Sequence, residues 1–406
     1  MTRPRLTAAD LAEVERIMAP ADAALARDYP GDPAERQPVH TVYVPADRMA
    51  PGVLERHGTD ARAALDEHAP DPAALARAVG ADPVQVDAVW SLLLAKLERE
   101  PVEDLRIDLE DGYRGHPDDE EDAQAVTAVR AVAADPPPYW GVRFKSFEAP
   151  TRARGLRTLD LVLGAALEAG PLPDGFRLTL PKVTSVEQVL AMVTACERLE
   201  AAYSLDRGRL RFEVQVETPQ AVLGADGTAT VARLVHAARG RCNGLHFGTY
   251  DYTAALGIAA SQQAMDHPAA DHAKDVLQVA AAGTGVPVSD GSTNVLPLGS
   301  TEQVHAAWAL HFRLVRRSLE RGLYQGWDLH PAQLPTRFLA TFLFFRAGLE
   351  PAAARVRAYC GGASGAVLDE PATVRALTGF LLRGVRCGAV TAAEVEALTG
   401  MPLEGR

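Results

Sequence analysis

Two short stretches, QVETPQA around Glu217 and HFGTYDY around Asp251, each place a carboxylate at the end of a run with strand-like character. If the two runs are successive parallel strands, roughly 4.8 Å apart, Glu217 and Asp251 can share one hard divalent cation. Water and substrate oxygens would then complete an octahedron. The same two acids also suit loop positions or helix caps, and spacing alone leaves both readings open.

A third stretch, LRIDLEDGY, alternates Leu105, Ile107 and Leu109 with Arg106, Asp108 and Glu110, and Asp111 follows. Period-two alternation marks a strand with one apolar and one polar face. Such a polar face looks either at water or into a site. Arg143, in YWGVRFKS, falls on the polar face of another strand. A guanidinium there can hold a substrate carboxylate through two parallel hydrogen bonds, or it can be spent on an ion pair with Asp108 or Glu110.

Lysine is scarce: Lys96, Lys145, Lys182 and Lys274 are the only four, and Lys145 and Lys182 both fall at strand ends. A buried lysine with a lowered pKa can form a Schiff base with a keto substrate. The plainer reading of both is charge balance in an acid-rich pocket. His330, before Pro331, suits either a hydrogen-bond donor at a pocket rim or a structural histidine at the end of a strand. His246 faces inward by parity and is a weaker candidate for proton transfer.

The elements that must position these residues follow a simple order. Strands are expected at 41–46, around DLRIDLED, and at 139–146, 177–183, 211–218, 244–252, 286–292 and 324–331, separated mostly by helical segments. Strands alternating with helices imply parallel pairing through right-handed crossovers. Eight such units point to an α/β fold of the (β/α)8 TIM-barrel class rather than an open sheet. No G-x-G-x-x-G follows a strand, which weakens a dinucleotide-binding alternative. The expected organisation is an N-terminal helical extension over 1–40, a barrel over 41–345 with a helical insertion at about 50–100, and a helical segment over 346–406 acting as lid or oligomer contact.

Inside a barrel the polar strand faces line the interior. Glu213, Gln215 and Glu217 oppose Phe212, Val214 and Val216. Arg143 and Lys145 oppose Trp140, Val142 and Phe144. Asp328 and His330 are expected to point inward against Trp327 and Leu329. Isolated polar groups in a core are costly unless paired, so pooled acids and bases at the C-terminal strand ends suggest a site.

The remaining features narrow the function class. With 41 basic and 53 acidic residues the formal net charge is −12, which argues against nucleic acid or an anionic membrane as partner. The four cysteines, Cys196, Cys242, Cys360 and Cys387, lack metal-binding spacing and read as free thiols in a reducing compartment. The N-terminus lacks a signal-peptide pattern and no long apolar run is present, so a soluble, cytoplasmic protein is expected.

The segments VYVPA, IDLED, VRF, LPKV, VETPQAV, FGTYDYTAALGI, GVPVSDG and DLHPAQL occur in this order. Together they resemble the HpcH/HpaI aldolase and citrate lyase β-subunit family, which includes malyl-CoA lyase, over about residues 40 to 345. GAVLDEPATVRAL resembles a C-terminal segment of the same family. The resemblance implies a (β/α)8 barrel that uses Mg2+ or Mn2+ to stabilise an enolate during carbon–carbon cleavage or condensation. It implies Glu217 and Asp251 as metal ligands and Arg143 as the residue holding keto-acid or enolate oxygens. Asp108, Glu110 and Asp111 would be the surrounding acids that hold metal waters and orient Arg143. Asp369 would be an acid/base group, often serving a neighbouring subunit; its position before Pro371 equally suits a helix cap. The chain departs from the pattern in three places: Lys145 stands where the family has asparagine, Tyr250 where an acid is common, and residues 50 to 100 are longer.

The resulting expectation is a Mg-dependent lyase or aldolase acting on a small oxo- or hydroxy-acid or its coenzyme A thioester. Arg143, Lys145, Lys182 and His330 are the candidate substrate contacts, and a homo-oligomer is expected. Thioester hydrolysis on the same scaffold and a non-catalytic ligand-binding barrel are the alternatives.

Overall fold

The computed structural model describes residues 4–32, 35–361 and 370–402. The strands are β1 (His40–Pro45), β2 (Asp104–Asp108), β3 (Tyr139–Arg143), β4 (Phe176–Leu180), β5 (Phe212–Val216), β6 (Cys242–Phe247), β7 (Val288–Ser289) and β8 (Gly326–Asp328). All pair in parallel, in the order β7-β6-β5-β4-β3-β2-β1-β8. A parallel bridge between Ser289 and Gln325 joins the two ends of this order. The eight expected strands are thus present in a nearly closed (β/α)8 barrel.

The helices in chain order are α1 (Ala8–Asp28), α2 (Val53–His68), α3 (Pro72–Val79), α4 (Pro83–Arg99), α5 (Asp118–Ala133), α6 (Arg152–Ala169), α7 (Val186–Ala202) and α8 (Pro219–Val222). They continue as α9 (Thr230–Ala237), α10 (Thr249–Ala255), α11 (Pro268–Ala281), α12 (Thr301–Glu320), α13 (Leu334–Cys360), α14 (Pro371–Arg386) and α15 (Ala392–Thr399). Their starts follow the local sequence. Thr7 with Asp10, Ser185 with Gln188 and Ser300 with Gln303 form reciprocal caps at α1, α7 and α12, each satisfying backbone N–H groups that the first turn leaves free. None of these helices is long and apolar enough to cross a membrane.

The core lies between the outer barrel face and the helices. Leu105, Ile107, Val142, Val214 and Phe247 are fully buried there. Because helices cover the outside and side chains fill the inside, both faces of β2 are buried, including Asp104, Arg106 and Asp108. The polar face of LRIDLEDGY therefore looks into the barrel. α1 behaves differently: it buries no residue, and Leu11, Val14, Ile17 and Leu25 on it stay exposed. At the other end, α14 and α15 pack on α13 around Leu349, Val356, Leu381, Val390 and Val395.

Three local expectations need correction. β6 stops at Phe247, and Asp251 lies in the first turn of α10 rather than on a strand. β3 stops at Arg143, so Lys145 lies beyond it. On β8 the faces are reversed. The Trp327 ring lies 4.7 Å from that of Tyr43 and 6.3 Å from that of His246, inside the barrel. Asp328 faces outward, 2.7 Å from His40 Nδ1 and 3.1 Å from His311 Nε2, and paired with Arg337 of α13. Alternation identifies two faces but not which one is inside. Here a buried acid is held by three basic side chains, which offsets its desolvation, and the large Trp327 fills the interior instead.

Candidate functional site

The register places Asp108 of β2 beside Arg143 of β3. Asp108 accepts from Arg143 Nε at 2.8 Å and Nη2 at 2.6 Å, and from the backbone N–H groups of Glu110 and Gly112. Four donors on one carboxylate fix the guanidinium plane. Burial opposes the charge on Arg143, yet Asp108 holds its pKa well above the ordinary value. The guanidinium also lies over the Tyr43 ring, 4.6 Å from its centre, and Nη1 donates weakly to Gln215 at 3.4 Å. The ion-pair reading of Arg143 is thus realised on its Nε and Nη2 side.

Glu217, two residues along from Gln215, is buried and accepts from Gln215 Nε2 and from the Lys182 backbone N–H at 2.7 Å. Gly248 makes room for it, since a Cβ there would sit 2.5 Å from Glu217 Cβ. Carboxylate oxygens of Asp111, Glu217 and Asp251 all fall within 4.8 Å of one another. Glu217 and Asp251 therefore converge, and Asp111 joins them as a third acid. Three hard oxygen donors from separate elements suit a divalent cation that keeps several waters.

Lys182 is built into the same cluster. Its backbone has φ of 51°, a left-handed conformation that lysine rarely adopts. Nζ lies 2.9 Å from Asp111, 3.2 Å from Asp251 and 3.3 Å from Glu110. Burial works against the charge, but Glu217, Glu110 and Asp111 outweigh it and raise the Lys182 pKa well above the usual lysine range. An amine held so firmly as ammonium is a poor Schiff-base nucleophile; charge balance describes this lysine better.

The acids respond in opposite directions. Burial, reinforced by Asp251 and Glu110 and opposed by Lys182 and Arg143, pushes Glu217 up to about 8. Burial and Asp111 push Glu110 up to about 7 against the pull of Arg143 and Lys182. For Asp111, burial is overcome by hydrogen bonding within the Glu110 pair and by Lys182, and its pKa is lowered. Glu217 and Glu110 thus bind protons more tightly folded than unfolded, where carboxyls titrate near about 4.3. Their contribution to stability is full at about pH 4 and is lost as pH rises through 7 to 8. In EDTA, the Tm of the protein is expected to fall across this window. Glu217→Gln should flatten the fall and raise Tm at pH 8 by roughly 1–3 °C. A thermal melt series from pH 5 to 8 checks it, and an unchanged slope in the variant would contradict the assignment.

The remaining candidates fall elsewhere. Lys145 Nζ pairs with buried Glu121 of α5 at 2.9 Å and donates to the Leu109 carbonyl at 3.1 Å. The His330 ring caps the short turn Pro331–Gln333, accepting from the Ala332 N–H at 3.2 Å. His246 sits one layer further down the barrel, with Nε2 3.1 Å from Glu213, which also pairs with Arg106. Asp369 lies outside the described residues. Sequence reasoning gave no role to Gln215, which links Arg143 to Glu217, or to Tyr43, which lies under Arg143. Gln215 was visible as a member of the polar face of β5. Tyr43 had no signal, because its partner comes from another strand.

A (β/α)8 barrel with acids and an arginine gathered at its C-terminal strand ends is the class that fold and geometry define. Residues 18–405 match the family described as "Domain of unknown function (DUF6986)", and the chain belongs to that family. No curated protein matches the chain. Among solved structures, CitE of Mycobacterium tuberculosis, in complex with magnesium, acetoacetate and coenzyme A, is similar at 19% identity and a TM-score of 0.50. That match covers 88% of this chain and 98% of CitE. Haloferax volcanii malate synthase with glyoxylate is similar at 17% identity and a TM-score of 0.49, covering 75% of this chain and 76% of that one. At 19% identity the likeness to CitE shows the fold alone.

Proposed function

We propose that the protein is a divalent-metal-dependent carbon–carbon lyase or condensing enzyme. Its substrate would be a small oxo- or hydroxy-acid or the corresponding coenzyme A thioester. One observation carries the reading: three carboxylates converge within 4.8 Å beside a buried arginine at the barrel end where such enzymes do chemistry. The sequence resemblance to the HpcH/HpaI and citrate lyase β group supports it, as does the chemistry of the donor set. CitE, of similar fold, was crystallised in complex with magnesium, acetoacetate and coenzyme A.

In this reading Asp111, Glu217 and Asp251 hold Mg2+ or Mn2+. Such an ion supplies Lewis acidity toward the oxygens of an oxo acid. Arg143, held by Asp108 and Gln215, presents its guanidinium to substrate carboxylate or enolate oxygen. A fixed donor aimed at developing negative charge costs no reorganisation as the bond breaks. Lys182 partly neutralises the acids and keeps them together before a cation binds. Asp369 stays in the proposal as the acid/base group, and self-association into a homo-oligomer belongs to the same reading.

The test is a titration of Mg2+ and Mn2+ into EDTA-stripped protein, followed by turnover assays on a panel of 2-oxo acids, 3-hydroxy acids and acyl-CoA thioesters. Saturable metal binding and metal-dependent turnover of at least one member are expected. Borohydride with that substrate should leave no adduct on Lys145 or Lys182. Turnover that survives full chelation, or a trapped lysine adduct, would replace the metal reading.

A further inference from the structure

At the opposite end of the barrel from the acid cluster lies a second polar cavity, of about 250 Å³. Its lining includes Glu35 and the last turns of α14, and it reaches Glu213 and His246. Six arginines line it. Two are each paired with two acids: Arg36 with Glu100 and Glu103, and Arg106 with Asp104 and Glu213. The other four share little. Arg177 and Arg211 each lie 3.5 Å from the same carboxylate, that of Glu35, whose side chain is 59% exposed. Arg383 lies 3.5 Å from Asp32, which is 78% exposed. Among the described residues Arg386 donates to the Glu35 carbonyl, at 3.1 Å.

Six arginines against the carboxylates of Asp32, Glu35, Asp104 and Glu213 leave the cavity lining with an excess of positive charge, in a chain whose net charge is −12. Arg177 is the most telling member. Its side chain is only 12% exposed, and burial lowers its pKa because the neighbouring acids do not compensate. A second observation is independent of charge. Both amide atoms of Asn243 and Nδ1 of His246 are buried, line the same cavity region, and have no hydrogen-bond partner among the described residues. Buried polar atoms without partners are uncommon in folded proteins, and each asks for a ligand or water.

We infer that this cavity binds a compact dianionic oxyanion, of the phosphate or short-dicarboxylate class, through Arg177, Arg211 and the Asn243 amide. Forked guanidinium groups match such oxygens in pairs, and an amide N–H is a neutral donor suited to a further oxygen. α14 supplies Arg383 and Arg386 at the rim. The site is separate from the acid cluster and does not depend on the function proposed for it.

Inorganic phosphate and malonate are the probes, titrated calorimetrically into the full chain at constant ionic strength. Saturable binding of at least one is expected, weakened about 10-fold or more in Arg211→Gln and in Arg177→Gln. Glu217→Gln, at the far end, should bind the probe like the unaltered protein. Arg211 is the safer variant for folding, its side chain being 34% exposed, and thermal melts confirm the fold of each. Phosphate binding alone assigns the phosphate class and malonate binding alone the dicarboxylate class. No saturable binding of either probe up to about 20 mM, or equal binding in both arginine variants, overturns the inference.

Discussion

Glu217→Gln is expected to weaken Mg2+ binding by about 100-fold or more while leaving the fold intact. Glu217 is the most buried of the three converging acids, so its charge is the least screened by water and the hardest to replace. Glutamine keeps an acceptor for the Lys182 N–H and the shape that Gly248 leaves open. It removes the negative charge that a hard cation requires. Asp251→Asn should cost less, because that side chain is 52% exposed on α10 and water can take its place. Calorimetric titration of EDTA-stripped protein measures both, with circular dichroism as the check on fold. Equal metal affinity in Glu217→Gln and the unaltered protein would remove Glu217 from the metal site.

Arg143→Lys is expected to lower turnover of the substrate identified in the panel by about 10²–10³-fold. Metal affinity should stay within about threefold, since Arg143 touches none of the three converging acids directly. A lysine keeps a positive charge beside Asp108 but not the two parallel hydrogen bonds that orient the group. It therefore tests orientation more than charge. Arg143→Met is a worse probe: it would strand Asp108 without a counter-charge in the barrel, at a cost of about 3–5 kcal/mol. Comparing kcat/KM with metal affinity separates the two functions of the site. Full activity in Arg143→Lys would mean that Arg143 holds Asp108 and the barrel wall, and no substrate oxygen.

Much of the barrel was legible because helix and strand periods differ and each parallel strand must bury an apolar face. That logic gave eight strands in the right order and placed Arg106, Asp108, Arg143, Glu213, Gln215 and Glu217 on interior faces. It failed on β8, where both faces carry large or charged groups and parity cannot choose between them. It also failed at strand ends. Lys145 continues the alternating pattern past the point where the backbone leaves the sheet, and Asp251 was read as strand although the chain turns into α10 after Phe247.

The sequence by itself determined the alternation of strands and helices, the polar interior of the barrel and the identity of the acids at two strand ends, because these depend on side-chain type and local period. The tertiary structure alone decided what each charge is spent on. Asp111 joins Glu217 and Asp251, while Lys145, by sequence equally near, is drawn to Glu121 on α5. Lys182 takes up a left-handed backbone and puts its ammonium among the acids. Arginines from β4, from the residue before β5 and from α14 are brought to one cavity at the far end of the barrel. Electrostatic energy depends on distance and burial in three dimensions, and neither is written in the spacing of residues along the chain.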